Sequence, residues 1–174
     1  MVKLAILAIA LFAALGLSLA SAGSESDTMH CKVTSVVDGD TVFCRVVEPG
    51  HILNGTTQEV RFEWIDAANK KDSYCYGTQA KAWVVARTLG KTVTLVQTGV
   101  RNRDNTAHRR LLRTPFDTED LNLAMLRIGY VQTTSFLAEA PADIATAYFA
   151  AEAEAQAGHL GIWGRDDPER CPRR

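Results

Sequence analysis

The sequence predicts an α+β domain built on a small, partly open β-barrel with helices attached. Three observations carry that prediction. Short β-rich runs bounded by turn residues recur through the first two-thirds of the chain, segments of helical periodicity fall between and after them, and there are no internal repeats and no clear second domain. The length of 174 residues, 47% of them hydrophobic, suits one domain with a single core.

The chain opens with Lys3, an apolar run from Leu4 to Leu19 and the small-residue pattern Ala20-Ser21-Ala22. That is the layout of a secretory leader over residues 1–22, cleaved after Ala22. The mature chain is therefore expected in a periplasm or outside the cell, with no stable membrane association. No later segment is apolar over enough length to span a bilayer. Residues 23–30 (GSESDTMH) are small and polar and read as a flexible lead-in, and residues 165–174 read as a C-terminal tail.

CKVTSVV and TVFCRVV, on either side of Asp38-Gly39-Asp40, read as the two strands of a hairpin. Pro49, Gly50 and Asn54-Gly55 make the following stretch a loop. Asn54-Gly55-Thr56 also has the form of a glycosylation acceptor, for which a turn is the preferred reading. EVRFEWI is a third strand. YGTQAKAWVVARTL sets Ala80, Trp83, Val84 and Ala86 at mostly helical spacing and ends at Gly90. KTVTLVQ (91–97) alternates as a strand, and RRLLRT (109–114) is a short one. Thr118 is placed to cap a helix over EDLNLAMLRI that stops at Gly129. YVQTT is a short strand, and Pro141 to Ala157 is an alanine-rich helix before Gly158. Strands of this length around one core give a barrel of the OB type.

Formal net charge is -1, and removing Lys3 with the leader leaves -2, so bulk positive charge does not hold nucleic acid here. The basic clusters RNRDNTAHRRLLR (101–113) and CPRR are of a kind more often found on solvated faces. In an exported chain Cys31, Cys44, Cys75 and Cys171 allow three disulfide connectivities. Cys31 and Cys44 flank the hairpin turn, which favours that pair and leaves Cys75 with Cys171. A tight turn sets the first pair diagonally, so the pairing needs a bulge or strong twist. No C-x-x-C or His-Cys spacing points to a metal site.

Asp38-Gly39-Asp40-Thr41 is ordinary turn chemistry on its own. It becomes a candidate site if Asp66, at the end of the third strand, faces Asp40. Oxygens from two segments, completed by water, suit a hard cation such as Ca²⁺ or Mg²⁺. Strict alternation along EVRFEWI sends Arg61, Glu63 and Ile65 to one face and Phe62, Trp64 and Asp66 to the other. Arg61 is either half of a surface pair with Glu63 or a guanidinium aimed at a phosphate, with Arg109 or Arg110 as a second grip.

Taken in order, V-x-DGDT, V-R-x4-D, YG-x2-A, D-x4-R-x-L, LN-x-A and G-I-W resemble the staphylococcal nuclease (thermonuclease) family from about Cys31 to Trp163, within a domain spanning residues 31–164. The resemblance implies a five-stranded OB-fold barrel with three helices, secreted as a monomer, that hydrolyses DNA and RNA phosphodiesters with Ca²⁺. It implies Asp40 and Asp66 as the metal carboxylates, Arg61 as one phosphate-binding arginine and Arg109 as the second. The last assignment needs one residue inserted after Asp104, without which the position falls on His108. The family's general base is a glutamate three residues after its second metal aspartate, and here that position is Asn69, whose amide cannot accept a proton. Loss of a positioned base costs on the order of 10²–10⁴-fold in rate. Glu63 or Asp72 is a possible substitute. The family's nucleotide-stacking tyrosines fall on Ser135 and Leu137, and its lysine-rich surface is missing. The resemblance thus implies a weak nuclease. Its alternatives are an inactive nuclease-like domain that binds nucleic acid or another phosphorylated ligand, and an exported barrel that contacts a protein partner.

Overall fold

The computed structural model describes residues 27–67 and 76–164. The leader, Asn69, Asp72, Cys75, Cys171 and the tail from residue 165 lie outside the described residues, and with them the Cys75–Cys171 pairing. Five strands form a barrel: β1 (Thr28–Val36), β2 (Thr41–Val46), β3 (Thr57–Phe62), β5 (Thr92–Val96) and β6 (Leu111–Phe116). Their order around it is β1-β2-β3-β6-β5, and β5 pairs with β1 so that the barrel is closed. The sequence predicted a partly open barrel. Closure comes from β1 beginning at Thr28, inside the stretch read as a lead-in, where Thr28 pairs with Val96 and Met29 is fully buried. All neighbours are antiparallel except β3 and β6, which run parallel.

Alternation fills the barrel as a half-buried strand requires. Met29, Cys31 and Val33 on β1, Val42, Cys44 and Val46 on β2, and Val60 and Phe62 on β3 point inward. Lys32, Arg45 and their alternates point out. The diagonal Cys31–Cys44 pairing is realised as a disulfide, with the cysteine Cα atoms 5.6 Å apart. Cys31 stands opposite Val46 and Cys44 opposite Val33, and the register shifts between Val33 and Ser35, which supplies the required bulge.

Helix α1 (Gly77–Thr88) turns Ala80, Val84 and Thr88 toward the body. The remaining apolar positions of its predicted face are less buried, Ala86 being exposed and Trp83 partly so. Gly39 of the hairpin turn sits against this helix, where a Cβ would come within 2.6 Å of Ala80 Cβ and 2.8 Å of Ala67 Cβ. Only glycine permits that approach, and it is what sets the Asp38–Thr41 turn against Ala67. Helix α2 (Leu121–Arg127) is capped by Asp120 rather than Thr118: the Asp120 carboxylate accepts from the Asn122 and Leu123 N–H groups and from the Tyr148 hydroxyl. Helix α3 (Ala142–Ala157) buries Tyr148, Ala151 and Ala155, and it contacts α2. Among the described residues no helix is long and apolar enough to cross a membrane.

The disulfide closes a short local loop between neighbouring strands. Replacing both cysteines (Cys31→Ala with Cys44→Ala) is expected to lower the unfolding free energy by about 2–4 kcal/mol. The check is urea denaturation of the oxidised protein, and an unchanged midpoint would mean that the bridge contributes nothing.

Candidate functional site

The run EVRFEWI is not one strand. β3 ends at Phe62, Trp64 takes a positive φ of 68°, and Ile65–Ala67 resumes as β4, which pairs with β7 (Val131–Thr133) in a separate two-stranded sheet. The break reverses the alternation beyond it. Arg61 and Asp66, expected on opposite faces, therefore meet: Arg61 Nη2 donates to Asp66 Oδ1 at 2.6 Å and to the Ile65 carbonyl at 3.3 Å. Arg61 Nη1 donates to Asp40 Oδ1. The hairpin turn, the end of β3 and the start of β4 thus converge on one guanidinium.

Asp40 is fully buried. Its Oδ1 also accepts from the Thr41 hydroxyl at 2.9 Å, and its Oδ2 accepts from the Ala67 N–H at 2.6 Å. Burial pushes its carboxyl up to about 7, with the Arg61 charge working the other way and Asp38 adding to the rise. For Arg61 burial opposes the charge, but Asp40 and then Asp66 more than offset it, so the guanidinium is held above its ordinary value. Asp66 is half exposed. The pair offers hard oxygen donors from two segments, the donor chemistry of a calcium or magnesium site that keeps several waters. Among the described residues no cluster of three or more His, Cys, Asp or Glu side chains gathers to hold a metal. Asp40 and Asp66 would be its protein ligands within those residues.

Glu63 lines the same groove as Arg61, but its carboxylate is turned to Thr98. It is buried, its Oε2 accepts from the Thr98 N–H at 2.9 Å and from the Thr98 hydroxyl at 2.7 Å, and burial raises its pKa despite those bonds. Its carboxylate is committed to holding the loop after β5. The second arginine also differs from the expectation. Arg109 is exposed, has φ 48°, and does not line the cavity beside Arg61, whereas Arg110 does. Arg110 Nε donates to Asp104 Oδ2 at 2.6 Å. Burial opposes ionisation of Asp104, and the Arg110 and Thr106 bonds lower its pKa on balance. His108 lies nearer the third strand, 3.7 Å from Glu59.

The cavity is an open groove of about 600 Å³ that runs from Arg61 and Asp66 past Arg110 to Phe136 and Glu139. Ser135 lines it, while Leu137 is fully buried in the core. Of the aromatics lining the groove, Phe62, Trp64 and Phe136, the most exposed is Phe136 at 54%, with the Arg101 guanidinium 5.2 Å from its ring centroid and held by Glu139 at 2.8 Å. The sequence reading looked one residue to either side of it. The 3₁₀ turn at Ser135–Glu139, which decides the facing side, leaves no periodic signal in five residues. Arg113 was also missed as a structural residue. It is fully buried beneath the groove, where its Nη2 meets Asp27 at 2.5 Å and its Nη1 meets Asn102 Oδ1 at 2.8 Å.

The elevated pKa of Asp40 gives a signed prediction for the metal-free protein. A carboxyl whose folded-state value lies above its unfolded value of 3.8 favours folding while protonated, and that contribution is lost as pH climbs through about 7. The melting temperature of Asp40→Asn relative to the parent should therefore rise between about pH 4 and pH 7. Thermal melts across that range test this, and a constant difference would show that Asp40 ionises in the fold at no cost.

A family model described as staphylococcal nuclease homologue matches residues 59–165, which covers the Arg61–Asp66 turn, the groove and all three helices. Comparison with curated proteins gives no significant match. The closed five-stranded barrel with three helices, its hairpin and groove, and this match together make the chain a member of the staphylococcal nuclease homologue family, with a nuclease-family function.

Proposed function

We propose that the protein is an exported, calcium-dependent hydrolase of DNA and RNA phosphodiester bonds that works slowly. The observation that carries this reading is the convergence of Asp40, Arg61 and Asp66 at one end of a groove that also holds Arg110. Asp40 and Asp66 hold the cation. When bound, calcium neutralises phosphate charge and stabilises the charge that develops on the equatorial oxygens. Arg61, released from the carboxylates, grips one phosphate oxygen pair through two parallel hydrogen bonds. Arg110 supplies the second grip by exchanging Asp104 for phosphate. Phe136 offers a ring face to a base along the groove.

The slow rate follows from residue 69. Its amide accepts no proton from the attacking water, and Glu63 is buried and committed to Thr98, so it does not stand in. Export is supported by the leader-type residues 1–22 and by the Cys31–Cys44 bridge, which belongs to an oxidising compartment. The same missing base favours a second reading, a domain that binds nucleic acid without turning it over.

Incubation of the mature chain with single-stranded DNA and with RNA, in calcium and then in chelator, separates the two. Calcium-dependent cleavage is expected, abolished in Arg61→Ala and raised on the order of 10²–10⁴-fold in Asn69→Glu. Salt-sensitive binding with no cleavage by either the parent or Asn69→Glu would establish the binding reading. Neither binding nor cleavage would overturn both.

A further inference from the structure

The outer face of β1, β2 and β3 carries a feature that the groove does not use. Lys32 on β1 stands directly opposite Arg45 on β2. Both side chains are exposed, and neither reaches a hydrogen-bond or ion-pair partner among the described residues. Like charges directly opposite across a sheet repel. Five arginines elsewhere in the described fold, Arg61, Arg87, Arg101, Arg110 and Arg113, each reach a carboxylate, whereas Arg103, Arg109 and Arg127 do not; Arg45 is set apart from these by the second cation directly opposite it. The row that contains the opposed pair has only hydroxyls beyond it, with Thr92 beside Lys32 and Thr57 beside Arg45.

The register connects this pair to the candidate site. Thr41 pairs with Arg61, Phe43 with Glu59 and Arg45 with Thr57, so three successive rows on one face of the strands lead from the mostly buried Thr41–Arg61 row to the two exposed cations. Four residues of β3 separate the top row from the bottom one, about 13 Å at about 3.3 Å per residue. In the middle row Phe43 is 36% exposed, an outward aromatic between two sets of cations. Its neighbour Glu59 is only 21% exposed and lies 3.7 Å from His108, so the carboxylate in this middle row is partly covered.

We propose that Lys32, Arg45 and Phe43 form a second nucleic-acid subsite, which holds the phosphate backbone and one base of a single strand that extends beyond the reaction centre. The proposal rests on the nuclease-family reading above and assigns the same strand a longer footprint. Lys32 and Arg45 hold one phosphate each, and the bound anions relieve their mutual repulsion. Phe43 stacks a base between those phosphates and the one at Arg61. The alternation of cation, aromatic ring and cation along one face is what favours a nucleic acid over an anionic membrane, which offers nothing to stack on Phe43.

The test compares an oligodeoxythymidylate of about 20 nucleotides with a dinucleotide that fills only the Arg61 site, each titrated over a series of salt concentrations. In Lys32→Ala/Arg45→Ala the slope of log K against log salt for the long strand should fall by about 1.4, some 0.7 per phosphate released. Dinucleotide binding should be unchanged. Phe43→Ala should weaken the long strand about tenfold and leave the dinucleotide alone. Because the cations repel, the double variant should melt no lower than the parent, which separates lost contacts from lost folding. An unchanged salt slope in the double variant, with the parent binding the long strand, would overturn the subsite and leave the nuclease-family reading intact. So would loss of binding to phosphatidylserine vesicles without loss of binding to the oligonucleotide. Failure of the parent to bind either nucleic acid would overturn the reading on which the subsite rests.

Discussion

Trp64 holds a left-handed backbone conformation that a bulky side chain adopts only under constraint, at a cost of order 1–3 kcal/mol. The surrounding structure supplies the constraint from every side. The indole Nε1 donates to the Thr98 hydroxyl at 2.8 Å, and the Trp64 carbonyl accepts from the Thr134 N–H at 2.9 Å. The preceding Glu63 is fixed as well: its N–H donates to the Arg113 carbonyl, its own carbonyl accepts from the buried Asn122 amide, and its carboxylate is bound to Thr98. Barrel, groove loop, α2 and the strand after it all anchor this dipeptide. Without the turn there, Asp66 would point away from Arg61 and no site would form.

The electrostatics of the site follow from that convergence. Three charged groups are drawn together at the barrel's edge, and one of them, Asp40, has no access to solvent. A fully buried carboxylate next to a second one is unfavourable unless a cation is close, and Arg61 is that cation. The arrangement is held by Gly39, which lets the hairpin turn approach Ala67 and Ala80, and by the Ala67 N–H, which meets the second Asp40 oxygen. Residues that look like filler in the sequence thus set the position of the charge.

Most of the fold was legible because it rests on periodicity and punctuation. Alternation marked the strands, glycines marked helix ends, and the hairpin turn carried its own chemistry. The ordered spacing of Asp40, Arg61 and Asp66 drew attention to the three side chains that meet in the fold, whereas the way Arg61 reaches Asp66 was not readable. Period-two reasoning has no means of registering one left-handed residue, and tryptophan is not a residue type that announces one. Which of Arg109 and Arg110 lines the groove was not readable for a related reason: the loop after Asp104 sets the phase of β6, and loop conformation is fixed by contacts distant in sequence, such as the Arg103 bond to Gln58 at 3.3 Å. Asp120 replaced Thr118 as the helix cap because the Tyr148 hydroxyl, from another helix, holds it in place. Closure of the barrel depended on Thr28, Met29 and His30 at the start of β1, where a lone apolar residue after a polar run gave no sign of a strand.

The pairing of β1 with β5 and of β3 with β6 also bears on how the chain reaches this state. Thr28 must find Val96, and Val60 must find Leu111, before the barrel is complete. Each search gives up chain entropy well before any contact rewards it, which places barrels of this kind in the millisecond-to-second range of folding times. The Cys31–Cys44 bridge is different, since it joins neighbours in a hairpin that forms locally. Oxidation ahead of closure would pin the turn that carries Asp40 while the rest of the chain is still searching. A crosslink that stabilises the finished barrel can in this way also act as a seed, and order the steps by which the distant strands arrive.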